Sequence, residues 1–453
     1  MAASRIGTLI ILGAGGDLAS RLLMPGLASL LASSRGEEMQ LIGVDRAPLS
    51  DAKWKSVVTR AFKGSPSALG AKVAERSFYL QGDASSGADL MRAINAATGR
   101  VALYFALPPA VAALACAALA DEKLPSGIVF ALEKPFGTDL ASARALNRLL
   151  QRELPEEQVF RVDHFLGKST VLNLLGLRFA NRMFEPLLSA QNVSHVEIVF
   201  EEALALEGRA GYYDKAGALI DMIQSHLLQV LALATMEPPS SVSSEDLRGG
   251  MAQALRATRP WAKNGTESRR ARYSAGKIGR RALPAYASEP GVDPARQTET
   301  LAEITVAVDT WRWAGVPFVL RSGKAIGDPR QELIFTFRDV PHLPTGFSGP
   351  SRQAKLRVGF NPGRLTVDIV TNGRDDPFDL EWDTMVSEFA PSELQTYGEV
   401  LAELLAGDPT LSVRGDVAEE CWRIVSPVIA AWKKNAVPLD SYPAGSSGPK
   451  SWR

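Results

Sequence analysis

A chain of 453 residues is too long for one ordinary core and suits two domains, with a cleft between them as a natural place for a site. Its 50 lysines and arginines balance 50 aspartates and glutamates, so no global positive field gathers nucleic acid or an anionic membrane, and any anion site must be built locally. Two cysteines, Cys116 and Cys421, both in apolar surroundings, exclude a disulfide framework and a cysteine zinc site; no metal site is expected, and a reducing, cytoplasmic setting fits.

The first apolar run, Thr8 to Leu12, is too short to span a membrane and opens the turn Gly13-Ala14-Gly15-Gly16-Asp17-Leu18-Ala19. Helical spacing follows from Leu18 to Leu31, then a second apolar run from Gln40 to Val44, which together read as strand, turn, helix, strand. A glycine turn in that context lets backbone N–H groups approach a pyrophosphate at a helix N-terminus. The spacing is G-x-x-G-x-x-A, with Leu18 where a third glycine would stand and Ala19 permitting close packing of the helix. The same glycines would also serve an ordinary tight turn. Asp45 and Arg46 end the second strand, where side chains meet an adenosine ribose. Asp45 suits the free 2′-hydroxyl of NAD and Arg46 the 2′-phosphate of NADP, so the two signals conflict and the choice stays open.

The apolar runs Val101 to Leu107 and Ile128 to Leu132, with an alanine-rich helix from Ala110 to Ala120 between them, continue the alternation of a parallel sheet. The first domain is therefore expected to cover 1–162. Beyond it the texture changes to a helix-like stretch from Thr170 to Phe184 and alternating segments at Val196 to Phe200, Leu301 to Asp309, Leu333 to Phe337 and Leu365 to Ile369, which suggests a mostly antiparallel sheet. Gly211 to Ala234 reads as one long helix, and Leu394 to Ala406 and Val417 to Trp432 as two more. The tail from Ser441 to Arg453, rich in Gly, Ser and Pro, is expected to lie irregularly on the surface. The second domain, 163–453, is thus a larger α+β unit.

Leu107-Pro108-Pro109, Glu133-Lys134-Pro135-Phe136-Gly137, Arg161 through Lys168 and Leu177 through Asn181 stand in an order and spacing that resemble the glucose-6-phosphate dehydrogenase family. Glu207 through Asp214, Asp221 through Gln229, Trp311 through Phe318, Arg321-Ser322-Gly323-Lys324 and Tyr442 through Ser446 extend the resemblance to about residues 8 to 450. It implies a Rossmann-like dinucleotide-binding domain, a larger domain on a mostly antiparallel sheet, a substrate site at their junction, and homodimers or homotetramers formed through the large sheet. It also implies oxidation of D-glucose 6-phosphate at C1 to the lactone, the first step of the oxidative pentose phosphate pathway, with NADP or NAD as hydride acceptor.

Residue by residue, the family's base falls on His226 and its partner on Asp163. The substrate phosphate falls to His164 and Lys168, and sugar contacts to Lys134, Glu202, Asp221 and Lys324. The cofactor is assigned to Gly13, Gly15, Gly16, Asp17, Leu18, Asp45, Arg46, Pro108 and Lys134. A base is what the chemistry needs, because hydride cannot leave C1 unless the hydroxyl proton is also removed, and histidine is suited to that near neutral pH. A cis peptide is expected between Lys134 and Pro135.

Several positions depart from the family pattern. Phe165 replaces a tyrosine after the phosphate-binding histidine, Ser169 an acidic or amide residue, Pro329 a basic residue with Arg330 beside it, Phe360 a glutamine, and Gly15 a hydroxyl residue. Most of these losses surround the substrate. They leave open a dehydrogenase of another sugar or sugar phosphate with the same His/Asp chemistry, and, from a different class, a non-catalytic homologue that binds nucleotide or sugar phosphate.

Overall fold

The computed structural model describes residues 5–350 and 352–452; Arg453, the end of the expected tail, lies outside the described residues. The chain divides into two compact units. One comprises 1–169, 239–252 and 392–419, and the other 170–238, 253–391 and 420–453.

The first unit is built on six parallel strands, β1 (Thr8–Leu12), β2 (Gln40–Asp45), β3 (Phe78–Gln81), β4 (Val101–Phe105), β5 (Val129–Glu133) and β6 (Val159–Val162), in the spatial order β6-β5-β4-β1-β2-β3. The short strand Ser412–Val413 pairs antiparallel with β6. Strand residues point alternately to two apolar layers. Leu9 and Ile11 join the layer that holds Leu27, Trp54 and Leu401, while Ile10 and Leu12 join the one that holds Leu90, Leu119 and Leu150. A sheet buried on both faces needs the near-continuous apolar strands seen here. Strand order reverses between β1 and β4, which places a crevice beyond their C-terminal ends.

The second unit carries a ten-stranded sheet. Its strands run in the order Leu380–Glu388, Gly363–Asn372, Lys355–Phe360, Gln331–Phe337, Val193–Glu201, Phe318–Gly323, Leu301–Val308, Ser268–Ser274 and Leu439–Pro443, with Thr258–Pro260 also paired to Leu301–Val308. All pairs are antiparallel except Val193–Glu201 with Phe318–Gly323 and Ser268–Ser274 with Leu439–Pro443. The mostly antiparallel expectation therefore holds.

Three expectations change. The helix-like stretch from Thr170 ends at Phe179 rather than Phe184, and a separate short turn follows at Glu185–Leu187. The tail is not wholly irregular: Leu439–Pro443 is a sheet strand, and Tyr442 is fully buried, its hydroxyl donating to Lys324 O at 2.7 Å. The long helix from Gly211 to Ala234 breaks at Gly217 (φ 65°, ψ 178°), resumes as a π-helix over Leu219–Leu227, and returns to α geometry over Leu228–Thr235. This run is long and apolar enough to cross a membrane, yet 78% of its most apolar window is buried inside the protein, so core packing accounts for its composition.

Candidate functional site

In the first unit, β1 ends in the glycine turn. Gly13 and Ala14 donate to Val44 O at 2.9 and 3.1 Å, which ties the turn to the end of β2. Gly13 has φ 79°, and a Cβ there would lie 2.4 Å from Ala106 O, so only glycine lets the turn pass so close to the end of β4. Asp45 Oδ2 accepts from Gly15 N at 3.0 Å and Oδ1 from Arg46 N at 2.7 Å. A Cβ at Gly15 would stand 3.1 Å from that same Oδ2, which gives a local reason for glycine where the family often has a hydroxyl residue.

Beside the turn lies a cavity of about 330 Å³ walled by Gly13, Gly16, Asp45, Arg46, Ala106 and Pro108. The segment Gly82 to Ser85, with Val111 and Leu114, completes its wall and carries no signal in the sequence. A glycine turn with no room for a Cβ at Gly13, next to an acid and an arginine at the end of β2, fits a dinucleotide. Asp17 faces solvent 3.9 Å from Arg21, and Leu18 packs on the core; neither belongs to the cavity wall.

Strand β5 delivers Glu133 and Lys134, with a cis peptide from Lys134 to Pro135. Strand β6 delivers Asp163, where the chain turns: Phe165 N donates to Asp163 Oδ1 at 2.8 Å, Leu166 N to Asp163 O at 3.0 Å and Lys168 N to Phe165 O at 3.1 Å. Asp163 is buried, and burial pushes its carboxyl up to about 6 against the opposing pull of His164, the Phe165 N–H, Lys134 and Lys168. The first unit thus brings together four residues named from the sequence, three of them cationic or able to become so around one carboxylate. Lys168 Nζ stands 4.2 Å from the centre of the Phe165 ring.

Glu133 of the motif, with Tyr104 and Tyr397, which the sequence did not single out, completes this end of the sheet. Glu133 is pushed up to about 7 by burial while Tyr104 and Tyr397 donate hydrogen bonds to it, the Tyr104 bond at 2.5 Å. The Tyr397 ring stacks on His164, with centroids 6.0 Å apart and planes 14° apart. Glu133 therefore holds a tyrosine that in turn fixes the imidazole.

In the second unit, Glu202 follows the strand Val193–Glu201, and its N–H donates to Gly323 O at 2.8 Å. Lys324 Nζ donates to Glu202 Oε2 at 2.5 Å and lies 5.1 Å from the centre of the Tyr213 ring. The buried Tyr213 hydroxyl is driven well above the ordinary tyrosine range, first by burial and then by the charges of Asp221, Glu299 and Glu202. Glu202, Asp221 and Lys324 are thus gathered around Tyr213, which stood in a family motif but was not named as a site residue. Arg330, beside Pro329, stands 3.9 Å from Glu201.

Asp221 and His226 both lie in the π-helix Leu219–Leu227, and His226 is fully buried. In an α-helix, residues five apart would point about 140° away from each other. The i→i+5 bonding of a π-helix turns them toward the same face instead. Ser225 Oγ reaches back to Ile220 O at 2.8 Å, the same five-residue step.

Comparison with known proteins agrees with this layout. The family model described as "Glucose-6-phosphate dehydrogenase, NAD binding domain" matches residues 10–173, and "Glucose-6-phosphate dehydrogenase, C-terminal domain" matches 175–453. A glucose-6-phosphate 1-dehydrogenase of Rhizobium meliloti is 35% identical over 97% of this chain and 94% of its own, and one of Gluconobacter oxydans is 36% identical over 97% and 94%. Among solved structures, the enzyme from Mycobacterium avium superposes with TM-score 0.87 at 32% identity, covering 99% of this chain and 96% of that one. A glucose-6-phosphate dehydrogenase in complex with its substrate glucose-6-phosphate superposes with TM-score 0.88 at 26% identity, covering 99% and 97%. The chain belongs to the glucose-6-phosphate dehydrogenase family.

Proposed function

We propose that this protein oxidises D-glucose 6-phosphate at C1 to 6-phosphoglucono-1,5-lactone, with NAD or NADP taking the hydride. The observation that carries the reading is the match of both family domains over residues 10–173 and 175–453, with the motif carboxylates, lysines and histidines retained in each unit. The nicotinamide, when bound, supplies the hydride acceptor. His226 takes the proton of the C1 hydroxyl as the C1–H bond breaks and the C1–O bond becomes a carbonyl. Asp163 orients the imidazole and stabilises the imidazolium that forms. His164 and Lys168 hold the phosphate, Lys134 and Lys324 the sugar oxygens, and Glu202 and Asp221 accept from sugar hydroxyls. The glycine turn, with Asp45, Arg46 and Pro108, holds the dinucleotide.

In this reading 1–162 binds coenzyme and 163–453 binds substrate and assembles a cytoplasmic homodimer or homotetramer.

The test is reduced-nicotinamide absorbance across a panel of free and phosphorylated sugars, each with NAD and with NADP. Turnover confined to glucose 6-phosphate is expected. His226→Asn should lower kcat by roughly 10²–10⁴-fold with little change in KM, and Lys168→Ala should chiefly raise KM. Wild-type turnover by His226→Asn would remove the base assignment, and turnover only with a different sugar would remove the substrate.

A further inference from the structure

The helix that carries Asp221 and His226 starts abruptly. Gly217, at φ 65° and ψ 178°, occupies a backbone region essentially reserved for glycine, so the preceding helix cannot run on through it. The N–H groups of Ala218 and Leu219 then need acceptors from outside the helix. One residue supplies both: Glu299 O accepts from Ala218 N at 3.3 Å, and Glu299 Oε1 accepts from Leu219 N at 3.0 Å. A Cβ at Gly217 would fall 2.3 Å from that Oε1, so glycine and carboxylate occupy mutually fitted positions.

Glu299 is 7% exposed, but it is not sealed from solvent. It forms part of the wall of a cavity of about 470 Å³ within the second unit, which gives protons a route to it. Asp214 and Lys215 face this cavity from the helix before Gly217, Arg270 from the strand Ser268–Ser274, Arg296 from the turn preceding Glu299, and Lys433 from the C-terminal helix. The hydroxyls of Tyr213 and Tyr286 lie within electrostatic range of Glu299, and Asp221 follows on the helix it caps. Asp214 is committed to Arg296 at 2.6 Å, and Arg270 donates to Val437 O and Asn435 Oδ1. Burial therefore dominates and holds the Glu299 carboxyl up at about 7, with the Leu219 N–H and Arg270 pulling the other way.

We propose that Glu299 is a positioning residue for the reaction: its carboxylate fixes the first turn of the π-helix and so sets the register that turns His226 and Asp221 toward one face. The proposal rests on the assignment of His226 as base. An ionised Glu299 is the stronger acceptor and the better partner for a helix N-terminus, so the register is held most firmly once the carboxyl has lost its proton.

Glu299→Gln keeps shape and acceptor but removes the charge, and Glu299→Asp keeps the charge on a shorter arm. With glucose 6-phosphate and coenzyme saturating, Glu299→Gln should lower kcat by roughly 5–50-fold at pH 8 while KM moves by less than about two-fold. The ratio of wild-type to Gln-variant kcat should rise between about pH 6 and pH 8 and level off above. Glu299→Asp should restore that pH dependence. A ratio that is flat with pH, or a Gln variant indistinguishable from wild type, overturns the proposal, because a merely structural glutamate would give no ionisation in the ratio. If the Gln variant does not fold, the Asp variant carries the test: its shorter arm should lower kcat by more than about five-fold with KM moved by less than about two-fold, and a wild-type kcat, or a fall in kcat matched by an equal rise in KM, overturns the proposal. His226→Asn, run alongside, separates the two failures: its inactivity with a flat Glu299→Gln ratio sinks this inference alone, while its full activity sinks the base assignment with it.

Discussion

Phe165 is buried with the Lys168 ammonium over its ring, an arrangement that restrains the lysine while offering no hydroxyl to the phosphate that the proposed function places there. One added hydrogen bond is worth about 0.5–1.5 kcal/mol, so Phe165→Tyr should lower KM for glucose 6-phosphate by roughly 2–10-fold with kcat little changed. An unchanged KM would place the phosphate out of reach of position 165. On the proposed mechanism Asp163 sets an acid limit in the same cluster: with its carboxyl at about 6, kcat should fall as pH drops through that value, because a protonated Asp163 would no longer stabilise an imidazolium. At the other end of the sheet, Asp45 is committed to the Gly15 and Arg46 amides, while Arg46 faces the cavity. Arg46→Ala should therefore cut kcat/KM for NADP by about 10–100-fold and leave NAD within about three-fold, as measured by initial rates with each coenzyme. These side chains were legible because their motifs are local. Tyr397, stacked on His164, was not, since nothing in its own neighbourhood announces a partner so distant in sequence.

At the scale of elements, apolar spacing correctly marked helix between Gly211 and Ala234 but could not reveal its register. Hydrophobic periodicity is too coarse to separate 3.6 residues per turn from the wider π turn, and what selects the π stretch is a glycine break and a carboxylate from another part of the chain. A uniform α-helix would have set Asp221 and His226 on different faces. Gly217→Ala tests this directly. The backbone strain alone should cost about 1–3 kcal/mol, and the new Cβ adds a contact 2.3 Å from Glu299 Oε1, so denaturant unfolding should show a clear loss of stability. On the proposed assignments, surviving enzyme should lose more in kcat than in KM, since the helix that carries His226 is displaced rather than His164 and Lys168.

Over the whole molecule, four of the six parallel strands of the first unit, β1, β2, β4 and β5, could be read because buried parallel strands are continuous apolar runs, while the four-residue strands β3 and β6 were too short to stand out. The order of the ten-stranded sheet could not, because its neighbours are set by pairings between distant segments, Leu439–Pro443 beside Ser268–Ser274 being the extreme case. Neither reading shows which carboxyls resist ionisation; among the described residues burial holds Glu133 and Glu299 at about 7 and Asp163 at about 6, and also raises Glu403. Each is raised above its unfolded value, so the folded state binds more protons than the unfolded chain between roughly pH 4 and pH 7, and stability must fall as pH rises through that window. Asp214 is shifted the opposite way and costs stability only at lower pH, as its carboxylate protonates. The melting temperature at a fixed scan rate should therefore be higher near pH 5.5 than at pH 8, a difference on the order of a few kcal/mol in unfolding free energy. Glu133→Gln should flatten the dependence from the first unit and Glu299→Gln from the second. The rate is expected to move the other way, rising as Asp163 and Glu299 lose their protons, so the ionisations that arm the site are the ones that weaken the fold, and a melting curve indifferent to pH would deny that coupling.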